Sequence, residues 1–174
     1  MSTERKLTTS YIAEIEKLEQ LKCWSVIAGE GTGSHIELYF GKKILRKHPL
    51  KNPYLSKEVR KFDSEFSLFA EECSWRLESD REVICGSMSE NDNDGVMLSG
   101  LMRLLNQKVH DVLVLTPSLD LKIEFNNNLR LVLFCNTGSD DDNYSFSSLS
   151  NIFIVQGYGQ MVVEKKVQGY LSLV

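Results

Sequence analysis

The stretch LDLKIEF, residues 119–125, alternates apolar and polar side chains without a break, and this period-two pattern constrains the chain more than any other feature. Leu119, Leu121, Ile123 and Phe125 share one side, and Asp120, Lys122 and Glu124 share the other. A strand with one face on a core and one in water requires that alternation. The pattern also recurs. WSVIAGEGTGSHIELYFGKKI (24–44) lies over VHDVLVLTPSLDLKIEFNNNL (109–129) at a constant offset of 85, with Ile36, Leu38, Phe40 and Ile44 on Leu121, Ile123, Phe125 and Leu129. Later, WRLESDREVIC (75–85) lies over YSFSSLSNIFI (144–154) at an offset of 69, with Trp75 and Leu77 on Tyr144 and Phe146. The offset changes because the first half carries about 16 extra residues, most simply RKHPLKNPYLSKEVRKF (46–62).

Each half therefore reads as four strands separated by turns. GKK (41–43) and NNN (126–128) supply residues that tolerate the positive φ of tight hairpins. Two segments break the β pattern. Residues 8–22 place Tyr11, Ile12, Ile15, Leu18 and Leu21 at helical spacing, and VMLSGLMRLLN (96–106) reads as a shorter helix. The expected fold class is α+β: two pseudo-repeated antiparallel β-meander units, each preceded by a helix, packed as a sandwich or half-barrel. The predicted organisation is one domain over 1–174, with internal repeats at about 8–87 and 96–165.

Composition narrows the function classes. At 174 residues, with 42% hydrophobic and 25% charged, the chain can bury a core without staples. A formal charge of -4 disfavours direct binding to nucleic acid or to an anionic membrane, since both reward a cationic face. No apolar run approaches the ~20 residues of a membrane span, and the N-terminus has no secretory core, so a cytoplasmic location is expected. Cys23, Cys73, Cys85 and Cys135 are far apart and lie in or beside apolar stretches, as buried free thiols do.

Candidate chemistry is sparse. His35, His48 and His110 do not share the short spacing of a metal motif, and GEGTGS (29–34) leads into a strand where a phosphate loop would lead into a helix. SENDNDG (89–95) sets Glu90, Asp92 and Asp94 at alternate positions like half of a calcium loop, but Leu101 stands where the bidentate Glu belongs. Glu71 and Glu72, adjacent on an extended chain, point opposite ways. Three consecutive carboxylates, Asp140, Asp141 and Asp142, precede Tyr144. Like charges held together become favourable when a partner brings Lys or Arg, and they speed encounter.

The succession LDLKIEFNNNLRLVLF, an acidic loop and an aromatic-led hairpin, occurring twice, resembles small bacterial β-repeat proteins. Similar small acidic proteins serve as immunity proteins of contact-dependent inhibition and other polymorphic toxin systems. That resemblance implies a cytoplasmic antidote, not an enzyme, that occludes one cognate toxin, a basic nuclease domain, without cofactor or metal. The charge argument then assigns Asp140, Asp141 and Asp142 as anchors, Tyr144 as a contact aromatic, and Glu90, Asp92 and Asp94 as a second acidic patch. Two other readings are a small-molecule or metal-binding regulatory module and a hydrolase that uses one of the histidines.

Overall fold

The computed structural model describes residues 3–136, 138 and 140–166. Helix α1 (Thr3–Ile15) leads through a 3-10 turn (Glu16–Leu18) into β1 (Cys23–Ile27) and β2 (Ile36–Leu45). A short helix α2 (Lys57–Lys61) precedes β3 (Phe62–Ala70), β4 (Ser74–Glu78) and β5 (Val83–Gly86). Helix α3 (Val96–Leu101) and a 3-10 turn (Met102–Leu104) open the second half, which continues through β6 (Val109–Leu115), β7 (Asp120–Phe125) and β8 (Arg130–Phe134). Strands β9 (Asp142–Ser147), β10 (Asn151–Gln156) and β11 (Met161–Lys165) complete it.

The strands form two antiparallel sheets, one of six strands in the order β1-β2-β3-β9-β10-β11 and one of five in the order β5-β4-β8-β7-β6. The architecture is α+β and consistent with a sandwich. Neither half keeps to one sheet, contrary to a simple meander: the first three strands of each half lie in one sheet, and the remaining two of the first half and three of the second cross to the other. The halves also hold five and six strands, where the turn signals suggest four each. Alternation marks which residues face a core but not which sheet a strand joins.

Burial follows the alternation. Leu121, Ile123 and Phe125 are 0 to 2% exposed, while Asp120, Lys122 and Glu124 of the same strand are half-buried. One apolar cluster draws on both sheets and on the helices, including Tyr11, Leu38, Phe40, Trp75, Leu101, Leu131 and Phe146. Tyr11 of α1 rests against Tyr144, Phe146 and Phe153, and α3 packs on β5 so closely that a Cβ at Gly100 would lie 2.7 Å from the Cys85 sulfur. Helix α1 begins and ends earlier than the expected 8–22, continuing only as the 3-10 turn to Leu18, and α3 is shorter than the expected 96–106. Gln20 and Asn106, at left-handed φ (66° and 63°), then turn the chain into β1 and β6. Helix α2 was not anticipated. Its signal is Ser56, whose hydroxyl caps it by accepting from the Val59 amide at 3.1 Å.

The two sheets are joined at one corner by four backbone hydrogen bonds. Gln20 N donates to Val109 O (2.8 Å) and Asn106 N donates to Cys23 O (2.7 Å). Cys23 N donates to Gln107 O, and Val109 N donates to Leu21 O, both at 2.9 Å. The entries to β1 and β6 thus clasp each other around an antiparallel bridge between Lys22 and Lys108.

Two aromatic side chains hold the crossovers. Trp75, at the start of β4, donates its indole N–H to Ser34 O at 2.7 Å. Tyr144, in β9, donates its hydroxyl to Leu119 O at 2.8 Å, which spends its only proton, so Tyr11 must donate to the Tyr144 oxygen at 2.8 Å. Tyr144 is 0% exposed. Replacing it with Phe leaves the Leu119 carbonyl and the Tyr11 hydroxyl buried and unpaired, which costs about 2–4 kcal/mol in total. Urea unfolding of Y144F is expected to give a lower midpoint with an unchanged slope.

Candidate functional site

Antiparallel pairing sorts the connections to alternate ends of the sandwich. Six of them gather at one end: 28–35, 71–73, 87–95, 116–119, 135–141 and 157–160. Hydrogen bonds tie these loops to each other. Asn91 Nδ2 donates to Gly33 O at 2.9 Å, Gly157 N donates to Asp141 O at 3.3 Å, and Glu71 N and Glu72 N donate to Asn143 O and Asp142 O. Gly159, at φ 68°, lies so close to the 116–119 turn that a Cβ would stand 2.2 Å from Pro117 O.

The charge of this end is one-sided. The six loops carry Glu30, Glu71, Glu72, Glu90, Asp92, Asp94, Asp140 and Asp141, and they contain no Lys or Arg. Seven of these eight are exposed, with Glu71 half-buried. Arg5 of α1 borders the same hollow as Thr116, Pro117, Tyr158 and Gly159 of two of these loops.

Glu30, Glu90, Asp92, Asn93, Asp94 and Gly95 line a hollow of about 410 Å³. Its shape is fixed locally. Asn93 Nδ2 donates to Glu30 Oε2 at 2.5 Å, Gly95 N donates to Asp92 O at 2.8 Å, and Met97 N donates to Glu90 O at 3.0 Å. Among the described residues none of these carboxylates is ion-paired. Met88, 96% exposed, and Val96, 51% exposed, flank the loop. Exposed apolar side chains therefore stand at both ends of the acidic loop.

Asp140 and Asp141 are exposed, whereas Asp142 opens β9 half-buried, with its carboxylate accepting from Gln156 Nε2 at 2.8 Å. Tyr144 does not act as a surface contact. It is two residues into β9, its parity is that of Phe146, and its hydroxyl is committed inside the core. The exposed aromatic beside the acidic run is Tyr158, 75% exposed and held at φ 58°, a left-handed conformation that bulky residues avoid. Tyr158 also borders an 800 Å³ hollow with Thr8, Pro117, Leu119 and Met161. No feature of GYG in the sequence singles it out, because its presentation depends on the 116–119 turn folding beneath it.

The histidines are separated. His35 stands edge-on to Phe69 and 3.9 Å from Glu72, His48 is exposed in the 46–56 loop, and His110 is exposed on β6. Burial pushes the thiols of Cys23 and Cys73 up to about 12 and that of Cys85 to about 11, so these cysteines are protonated at neutral pH and poor nucleophiles. Among the described residues no three His, Cys, Asp or Glu side chains converge as metal ligands would, and no helix is long and apolar enough to cross a membrane.

The opposite end of β2 carries a different set of charges, which net charge concealed. Residues 41–61 hold eight of the chain's 20 Lys and Arg but one of its 24 acids, a net of +7, so the remainder carries 12 cations against 23 acids, or -11. At the base of this segment Asp63, 7% exposed, accepts from Arg46 Nη2 at 3.2 Å and meets Lys166 Nζ at 3.4 Å. Glu37 and Tyr39 lie on the same outer face of the six-stranded sheet. Comparison with protein-family models, curated proteins and solved structures gives no match for the chain.

Burial, reinforced by the Asp63 carboxylate, raises Glu37 from its ordinary 4.5 to about 7, against opposition from the Tyr39 hydroxyl, Arg46 and Lys166. Between those two values the folded chain binds more protons than the unfolded one, so this group's contribution to stability falls as pH rises from about 4.5 to 7. E37Q, which stays neutral, is expected to flatten that part of the stability–pH curve and to be more stable than wild type at pH 8. Chemical denaturation across pH 4 to 8 measures both effects, with an unchanged curve counting against the assignment.

Proposed function

We propose that the chain is a non-catalytic inhibitor of the immunity-protein kind, acting in the cytoplasm by occluding a basic toxin domain, such as a nuclease, with the acidic end of its sandwich. The observation that carries this reading is the set of six loops at one end holding eight carboxylates and no Lys or Arg. A field of one sign concentrated on one face raises the association rate of an oppositely charged partner.

Charge alone does not make a tight complex, which also needs a desolvated apolar or aromatic centre. Met88 and Val96 beside the Glu90–Asp94 loop, and Tyr158 beside Asp140 and Asp141, supply candidates for that centre. The backbone and Asn hydrogen bonds within these loops hold the carboxylates in place before binding, which lowers the entropy lost on association. Catalysis finds less support: the histidines stand apart and the thiols are protonated. The calcium-loop reading of SENDNDG is likewise not favoured, since its carboxylates ring a hollow without converging.

We also propose that the two halves are copies of one structural unit. In support, the bulged pairing Cys23↔Phe40 and Ser25↔Tyr39 recurs as Val109↔Phe125 and Asp111↔Glu124. The bond from Gly41 N to Lys22 O likewise recurs from Asn126 N to Lys108 O. On this pairing Cys23, rather than Trp24, is the counterpart of Val109, an offset of 86 in the first strand and 85 in the second.

The inhibitor reading predicts that replacing Glu90, Asp92 and Asp94 with Gln, Asn and Asn slows, by about tenfold or more at low salt, association with a basic toxin domain that the wild-type chain binds. The difference should shrink as salt rises, while thermal unfolding stays unchanged. Stopped-flow mixing measures this. Equal association rates for variant and wild type at about 20 mM salt, where screening is weak, refute the placement of the interface.

A further inference from the structure

We infer that the basic insertion between β2 and β3 is a binding surface for single-stranded nucleic acid, at the opposite end of the molecule from the acidic loops. Strand β2 has ten residues, so its two ends stand about 30 Å apart. That distance is several Debye lengths at physiological salt, and the two fields act independently. The inference goes beyond the inhibitor reading and does not rest on it.

The insertion presents its cations outward. Lys47, Lys51 and Lys57, with Lys42 in the adjoining end of β2, are exposed, and among the described residues none has an ion-pair partner. Of the acids nearest in the fold, Glu58 pairs with Lys43 at 2.5 Å, Asp63 pairs with Arg46 and Lys166, and Glu65 accepts from the Lys42 backbone amide at 3.0 Å. Unneutralised lysines in this number favour a polyanion, whose condensed counterions they release on binding. Lysine is a hydrated point charge without the planar fork of arginine, so phosphate contact here would carry little sequence preference.

Between Lys51 and Lys57 in the chain stands Tyr54, 95% exposed. Its presentation is built. Asn52 Oδ1 accepts from Tyr54 N at 3.0 Å, Pro49 and Pro53 limit the loop backbone, and Arg46 N and Leu50 N anchor the loop to Lys61 O and Arg60 O. A free aromatic face among phosphate-binding lysines is the pairing that single strands use, with a base stacked on the ring. A duplex keeps its bases stacked on each other and has none to offer. The apolar surface is too small to favour the other anionic partners: Leu45 and Leu50 are each 38% exposed, little for a bilayer to receive or for the core of a protein interface.

The net of -11 outside residues 41–61 limits contact to a short run of nucleotides. The notion that an acidic chain avoids nucleic acid holds for its average charge and fails where 21 residues carry +7.

The test is fluorescence anisotropy of a labelled oligothymidylate of about 12 nucleotides with the full chain, at salt between about 50 and 200 mM. Wild type is expected to bind, with affinity falling as salt rises. K47A/K51A/K57A should lose affinity at least tenfold and lower the log–log salt slope by about 2. The corresponding Lys→Arg triple should bind as wild type does, and Y54A should weaken binding about fivefold or more at an unchanged slope. Circular dichroism monitors folding, which these exposed positions do not support. The inference is overturned if the oligonucleotide fails to bind at about 50 mM salt, if the alanine triple binds as wild type, or if polyglutamate or phosphatidylserine vesicles bind while the oligonucleotide does not.

Discussion

The structure depends on strict antiparallel pairing closed by one short backbone clasp. Leu21–Cys23 and Gln107–Val109 exchange hydrogen bonds where the two sheets would otherwise separate, and every strand pairing beyond that corner is antiparallel. A chain that reverses at each strand sends its connections alternately to two ends. The crossovers at 71–73 and 135–141 keep that order, because Trp75 and Tyr144 bond across the sandwich to Ser34 and Leu119 as soon as each new strand starts. Topology therefore decides which loops become neighbours, and loop composition then decides the charge of each end.

The outcome is a molecule with opposed ends. Eight carboxylates without a Lys or Arg occupy the loops at one end, and residues 41–61, which are the far end of β2 and the insertion after it, carry a net of +7. The acidic end costs repulsion between like charges, which solvent lowers because seven of the eight acids are exposed. At the other end, Asp63 lies beneath the insertion beside Arg46 and Lys166. Those charge pairs, with the buried Val59 of α2, bind the insertion to the sheet and leave Tyr54 and the outer lysines to solvent.

Much of the framework was legible in the sequence. LDLKIEF appears as β7 with its apolar positions inward, and Tyr11, Ile15 and Leu18, spaced for one helical face, are all 0% exposed. Those assignments rest on local periodicity, which the chain obeys. What periodicity lacks is the long-range term. Tyr144 alternates with polar neighbours as a surface aromatic can, and only the sheet crossover, with Tyr11 arriving from the N-terminus, buries it. Tyr158 is its converse: an aromatic in an unremarked GYG that the 116–119 turn pushes into solvent. Glu90, Asp92 and Asp94 were found from composition, yet their grouping with Glu30 depends on Asn91 and Asn93 reaching the β1–β2 loop. The basic insertion was visible as extra length, and its charge was hidden by averaging over 174 residues.

Separation of charge between the two ends is the claim on which the functional reading stands, and it is measurable without any partner. Amide relaxation enhancement by a cationic and an anionic paramagnetic co-solute, compared residue by residue at low salt, reports the local potential directly. The account predicts stronger enhancement by the cation at 29–34, 87–95 and 140–141, stronger enhancement by the anion at 42–61, and convergence of the two as salt rises. Equal enhancement by both probes at the two ends contradicts it.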